Sequence, residues 1–350
     1  MQLENLRLLN FRSFETLEIA FSPKVNLIHG LNAQGKTNLL EALYFLSTGR
    51  SFRTKELTDL IREGAAYFYL EVNFIKDGIS QTLKVSFDGK AKNIQHNATA
   101  YTQFIHLLGL LPMVLYAPED VSLIFSGPSE RRRFLDLHSA QIDPLYVHHL
   151  ARYYRAMKHR NHLLKQRTAR AIEPWEEMMT HSAAYLMEQR KKAIADLNGA
   201  LARPMQALTD GQDTLSIEYH PSMKPGVAFA SYRPKELDYG CTLIGPQRDE
   251  LVIKINEHPA KTFASEGQKR GAIAALKLAE WQRIFRLSEE KPLMGIDDFG
   301  VHLDGKRSHF LQEELKNLGQ VFITSPCPLE TLAAWPETMV YPIQKNCNFK

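Results

Sequence analysis

The residues best suited to chemistry sit near the start of the chain, at Gly30-Leu31-Asn32-Ala33-Gln34-Gly35-Lys36-Thr37. This spacing lets consecutive backbone N–H groups turn inward around phosphate oxygens where a helix begins. Gly30 and Gly35 give the backbone its freedom. Lys36 is a point charge for the β and γ phosphates of ATP, and the Thr37 hydroxyl can take one position on a Mg2+ ion. Such an ion also needs a carboxylate from the end of a neighbouring strand. Leu293-Met294-Gly295-Ile296-Asp297-Asp298 offers two. Asp297 is expected to hold the metal, while Asp298 orients and activates the attacking water, with Lys36 as the second catalytic group. Gly295 is an awkward residue for the interior of a buried strand.

A third segment, Phe263-Ala264-Ser265-Glu266-Gly267-Gln268-Lys269-Arg270, places Ser-x-Gly-Gln at the start of a helical pattern. That makes a second anion-binding N-terminus, although an ordinary helix cap is an equally simple reading. Charge is unevenly spread. Residues 131–200 hold 13 Lys and Arg against 7 Asp and Glu, a net of +6 in a chain whose total is +4. Arg152, Arg155, Lys158 and Arg160 are candidate DNA contacts, with Tyr153 and Tyr154 interleaved. Contact of this kind would be independent of base sequence and sensitive to salt. A solvated helical face is the alternative, and Arg131, Arg132 and Arg133 could instead brace the nucleotide-binding head. His148, His149, His159 and His162 have no acid or cysteine at ligand spacing, which favours surface residues over a metal site.

These groups need positioning elements. Alternation predicts strands over 3–11 and 25–28, then a helix from Thr37 that stops at Gly49. Stretches 67–74 and 81–87 read as a hairpin around Lys76-Asp77-Gly78. From 129 to 207 the pattern is helical. Strands return at 215–219, 251–255, 292–296 and 320–324, with helices at 267–287 and 305–317. The expected fold is therefore α/β: a P-loop head made of 1–125 and 208–350, carrying an inserted basic helical subdomain at 126–207. The 350 residues show no internal repeat. No run approaches the roughly 20 apolar residues of a membrane span, and the N-terminus lacks the character of a secretory signal. Cys241, Cys327 and Cys347 are isolated, so neither a disulfide framework nor a zinc site is expected, and the reducing cytoplasm is the expected compartment.

Taken together, the motifs resemble the RecF family of DNA repair ATPases, the SMC-like branch of the ABC superfamily. The resemblance covers nearly the whole chain. Beyond the loop and Asp297-Asp298, it rests on Leu9-Asn10-Phe11-Arg12-Ser13-Phe14, Gly49-Arg50-Ser51-Phe52-Arg53, Pro118-Glu119-Asp120, Pro128 through Asp136 and Gly245-Pro246-Gln247-Arg248-Asp249. It makes the head an ABC-type ATPase head and implies an ATP-dependent homodimer with two nucleotides between the heads. Each would be held by one subunit's loop and capped by Ser265, Gly267 and Gln268 of the other, with Arg12 approaching the phosphates. It further implies engagement of junctions between single-stranded and duplex DNA, help from RecR with RecO, loading of RecA, and slow hydrolysis. The sequence departs from the family pattern at Ser126-Gly127, at Gln247, and at Val301-His302-Leu303-Asp304. A Q-loop glutamine and a switch histidine are not evident. A small-molecule phosphotransferase, using Arg131 to Arg133 as a lid, and a transporter ATPase subunit are the alternatives.

Overall fold

The computed structural model describes residues 1–224, 226–299, 305–326, 329, 332 and 335–343. They form two compact units, Met1–Asp120 with Ala207–Thr209 and Ile273–Lys350, and Val121–Gln206 with Asp210–Ala272. The second unit is wider than the expected insertion at 126–207, since it also takes in residues 210–272. The reason is pairing. Strand Glu250–Ile255 joins Leu215–His220 and His258–Pro259 in a small antiparallel sheet, and its first residue, Glu250, takes the Arg131 guanidinium at 2.9 Å.

The first unit holds two sheets. One is antiparallel and six-stranded, ordered Phe14–Ala20, Gln2–Phe11, Phe68–Lys76, Ile79–Phe87, Lys92–His96, Thr99–Tyr101. The hairpin Phe68–Phe87 turns through Asp77 (φ 53°) and Gly78 (φ 74°). Two left-handed residues give a turn whose twist matches that of its strands. The other sheet is wholly parallel, ordered Thr338–Pro342, Val25–His29, Val321–Ser325, Leu293–Ile296, Met113–Tyr116. Its inner strands are buried along their length, as parallel strands covered on both faces must be.

Helix Lys36–Thr48 follows the phosphate loop and is buried at ten of its thirteen positions. Leu39, Leu40, Leu43, Phe45 and Leu46 share one core cluster with residues of both sheets. A helix apolar all round is a helix enclosed on several sides. Gly295 now has its explanation. A Cβ there would lie 2.6 Å from Met113 Cε and 2.9 Å from Leu40 Cδ1, so a larger residue would have to displace the ends of both side chains where the helix rests on the strand.

The second unit contains helices Pro128–Ala140, Pro144–Lys165 and Glu173–Leu208. Pro144 and Pro174 fall in first turns, where a missing N–H costs nothing, while Pro204 lies inside the last helix. Among the described residues no helix is long and apolar enough to cross a membrane.

Candidate nucleotide site

Strand Val25–His29 delivers the loop and helix Lys36–Thr48 receives it. Gly30 (φ 152°) and Gly35 (φ 107°) hold conformations that side chains rarely adopt. A Cβ on Gly30 would also strike the Ile343 carbonyl oxygen at 2.4 Å. Lys36 is 5% exposed, and its Nζ donates to Gly30 O at 2.7 Å and Leu31 O at 3.0 Å, folding the side chain back over its own loop. Asn32, Ala33, Gly35, Lys36, Thr37, Asn38, Arg53 and Asp298 line a cavity of about 310 Å³.

The acidic strand end arrives from 260 residues away. Thr37 Oγ1 donates to the Asp297 carboxylate at 3.0 Å, and Thr324 Oγ1 donates to Asp297 Oδ1 at 2.6 Å. Asp297 N reaches Tyr116 O at 2.9 Å, which ties it to the adjacent strand. Asp298 takes a left-handed conformation (φ 52°) and its N–H donates to Thr324 Oγ1 at 2.8 Å. Burial pushes the Asp297 carboxyl above the ordinary carboxylate range, and the Asp298 and Glu119 carboxylates push the same way against the hydroxyls of Thr324 and Thr37. A cation beside Asp297 would relieve that repulsion. Hydroxyl and carboxylate oxygens are the hard donors that suit magnesium, so the residues present fit the ion.

Sequence reasoning did not single out Arg53, Asn38, Thr324 or Glu41. Arg53 NH1 donates to Asn38 Oδ1 at 2.8 Å, and Asn38 Nδ2 donates to Ser13 Oγ at 2.8 Å, so a second cation is held at the cavity wall. Its only sequence signal was membership of the Gly49 to Arg53 stretch. Arg12, expected at the phosphates, is engaged within the chain. Its Nε and NH2 grip the fully buried Glu41 carboxylate at 2.8 and 2.7 Å, and NH1 donates to Asp59 O at 2.8 Å. Each of its three nitrogens already has a partner.

Ser265–Gln268 form a capping box at the start of helix Glu266–Ser288. Gln268 N donates to Ser265 Oγ at 3.2 Å and Ser265 N donates to Gln268 Oε1 at 2.9 Å. Gln268 Nε2 is anchored on Asp213 at 2.9 Å. Ser265 is exposed. Gly267 lies in the first turn of this helix, where a backbone N–H has no intrahelical acceptor to require.

The basic segment needs one correction. Arg160, expected on DNA, is wholly buried: its NH2 meets Glu236 at 2.5 Å and Glu176 at 2.9 Å, and its NH1 meets Thr242 at 3.0 Å. It sits on the inner side of its helix with Tyr153 and Leu164. Arg155 and Lys158 are exposed and Arg152 half-buried. Arg131 braces Glu250, and Arg132 donates to Asp249 O at 2.8 Å. Gln247, a departure position, accepts from the Tyr153 hydroxyl and donates to Ile244 O at 2.8 Å. His159 stacks on Trp175 at 4.4 Å and His149 on Tyr185 at 4.4 Å. Residues 301–304 and Cys327 and Cys347 lie outside the described residues.

Comparison with known proteins accords with this geometry. The model of the RecF/RecN/SMC N terminal domain matches residues 2–334. "DNA replication and repair protein RecF" of Protochlamydia amoebophila is 43% identical over 340 residues, 94% of this chain and 95% of that protein. Its counterpart in Chlamydia abortus is 37% identical over 351 residues, covering 95% and 94%. A solved structure of the recombination mediator protein RecF with ATPγS superposes with a TM-score of 0.85 at 28% identity, covering 98% of this chain and 96% of that one. An Smc head domain from Pyrococcus furiosus, at 17% identity and a TM-score of 0.54, shares the fold. With a phosphate loop, an acidic strand end and a capped second helix start, the chain belongs to the RecF family.

Proposed function

We propose that this protein binds ATP and DNA in replication and repair, and that nucleotide closes two copies around DNA while hydrolysis reopens them. The observation that carries it is the meeting of Thr37 with Asp297 beside a buried Lys36 whose charge has no carboxylate partner among the described residues. Lys36, Arg53 and the loop N–H groups from Leu31 to Thr37, those of Asn32, Ala33 and Gln34 included, would hold the triphosphate. Thr37 and Asp297 would hold magnesium, which supplies charge neutralisation at the β and γ phosphates. Asp298 would hold the attacking water. Its strained backbone fits such a post, because strain of this kind persists where the surroundings over-determine it.

Ser265, Gly267 and Gln268 would cap the nucleotide bound by a second copy. The exposed Ser265 at the start of a long helix supports this, since a helix N-terminus favours an anion. Hydrolysis is proposed to be slow, and RecR with RecO, and through them RecA, are proposed partners on the strength of family membership. The phosphotransferase alternative loses its support: Arg131 and Arg132 are tied to Glu250 and Asp249 and cannot serve as a lid.

Sizing the protein with and without ATP, then titrating gapped DNA against plain duplex at two salt concentrations, tests the proposal. ATP should produce a dimer, and retention on gapped DNA should require it. Dimerisation by Lys36→Met as complete as the parent's would refute it.

A further inference from the structure

Helix Pro144–Lys165 carries five Lys and Arg and four His in 22 residues and no Asp or Glu at all. The acid-free stretch continues to Ile172. Its buried positions are Tyr146, Tyr153, Ala156, Arg160 and Leu164. At about 100° per residue, Arg155, Lys158 and Lys165 fall on the opposite side, with half-buried Arg152 at its margin. His148, His159 and His162 share that side, and all three are exposed. No carboxylate pairs with any of the four cations among the described residues. The acids that flank this stretch in sequence are already committed: Asp143 accepts from Leu145 N at 2.8 Å and from the Tyr185 hydroxyl at 2.7 Å, Glu173 is taken by Arg233, and Glu176 by Arg233 and Arg160.

We infer that this outer face is a ridge for the phosphate backbone of nucleic acid, an inference that rests on the DNA-binding reading above and locates it. From Arg152 to Lys165 the ridge runs roughly 20 Å along the helix axis. One DNA strand presents about six phosphates over that length. Cations recur every three to seven residues, so a strand laid along the helix meets charge at each step. A protein partner would instead need a cluster of large apolar anchors at the centre of the patch; of this helix's exposed large hydrophobics Tyr154 stands alone beside the cations, and Leu145 lies at the helix start, before the ridge begins. The ridge reads no bases. It holds the backbone, and Arg160, one turn inward, anchors the ridge to its own unit without touching the ligand.

The test uses the full chain with ATP, a labelled gapped duplex, and salt titrations of Arg155→Glu/Lys158→Glu beside a control reversal, Lys90→Glu/Lys235→Glu. Thermal unfolding midpoints of all three proteins establish that they are folded. The ridge variant should bind at least about tenfold more weakly, and its slope of log affinity against log salt should fall by about 2, since each phosphate contact contributes about 0.9 on duplex. The control should match the parent. A ridge variant with the parent's slope, from a parent that binds DNA, overturns the ridge and leaves the DNA-binding reading standing. A parent that binds no DNA with or without ATP overturns that reading, and the ridge with it. Competition by polyglutamate equal to that by a single-stranded oligonucleotide would make the ridge a site for an acidic protein and overturn the inference.

Discussion

The nucleotide site of the first unit and the interior of the second unit bury charge in opposite ways. In the second, Arg160 lies between Glu176 and Glu236, and Arg190 between Asp136 and Asp249, with Tyr146 and the Pro246 carbonyl completing its contacts. Every buried positive group there has its negative partners in place. In the first, Lys36 rests on two carbonyls, and Asp297 is buried with two further carboxylates nearby and hydroxyls for company. A cation without an anion and an anion short of a cation, brought together, are complementary to magnesium and a polyphosphate. Balanced burial makes structure; unbalanced burial makes a binding site.

The contrast can be broken by substitution. The largest effect is expected from Arg160→Met, which strands Glu236, leaves Glu176 to Arg233 alone, and should cost about 3–5 kcal/mol in denaturant unfolding. Adding Glu236→Gln should restore part of the loss. Lys36→Met should do the reverse, leaving unfolding nearly unchanged while ATP affinity by calorimetry falls by at least about 2 kcal/mol. If Lys36→Met also destabilises the fold by several kcal/mol, the charge was structural and the contrast fails. Gly295→Ala tests the contact between helix and strand. Overpacking against Leu40 and Met113 should lower stability by about 1–3 kcal/mol.

The smallest effect carries the most informative sign. Because the Asp297 pKa is raised in the folded state, its charged form opposes folding at neutral pH, and the stability it lends is present only at low pH. Asp297→Asn should therefore raise the melting temperature of the nucleotide-free protein near pH 7, with the gain disappearing as the pH drops. The same variant should lose the stabilisation that Mg2+ with ATP gives the parent.

Much of this was legible in the residues. The loop, its strand and helix, Asp297-Asp298 and the hairpin follow from spacing and alternation, because each is a local pattern. Arg160 could not be told from Arg155 by composition; only the phase of the helix, set by the apolar Tyr153 and Leu164, turns one inward. The strands Lys92–His96, Thr99–Tyr101 and Thr338–Pro342, at or next to a sheet edge, are short and half-exposed, so their alternation is weak. Residues 210–272 group with the insertion through the ion pairs Arg131–Glu250, Arg160–Glu236 and Arg190–Asp249, which sequence order does not encode. Gly295 is a difficulty by strand propensity alone, and the strand accepts it because a helix far away in sequence, at Leu40, needs the space.

The place of strand Val25–His29 in its sheet bears on how the protein is made. Both of its neighbours, Val321–Ser325 and Thr338–Pro342, leave the ribosome roughly 300 residues later, some 15–60 s at ordinary rates of synthesis. The Gln320 side chain also completes the N-terminal strand, bonding Leu3 N at 2.7 Å and Leu3 O at 2.8 Å. Nascent chains must therefore wait, with the phosphate loop unsupported, until the last strands emerge. ATP capture becomes a late event in biogenesis, and the loop works only in a chain whose two ends have met.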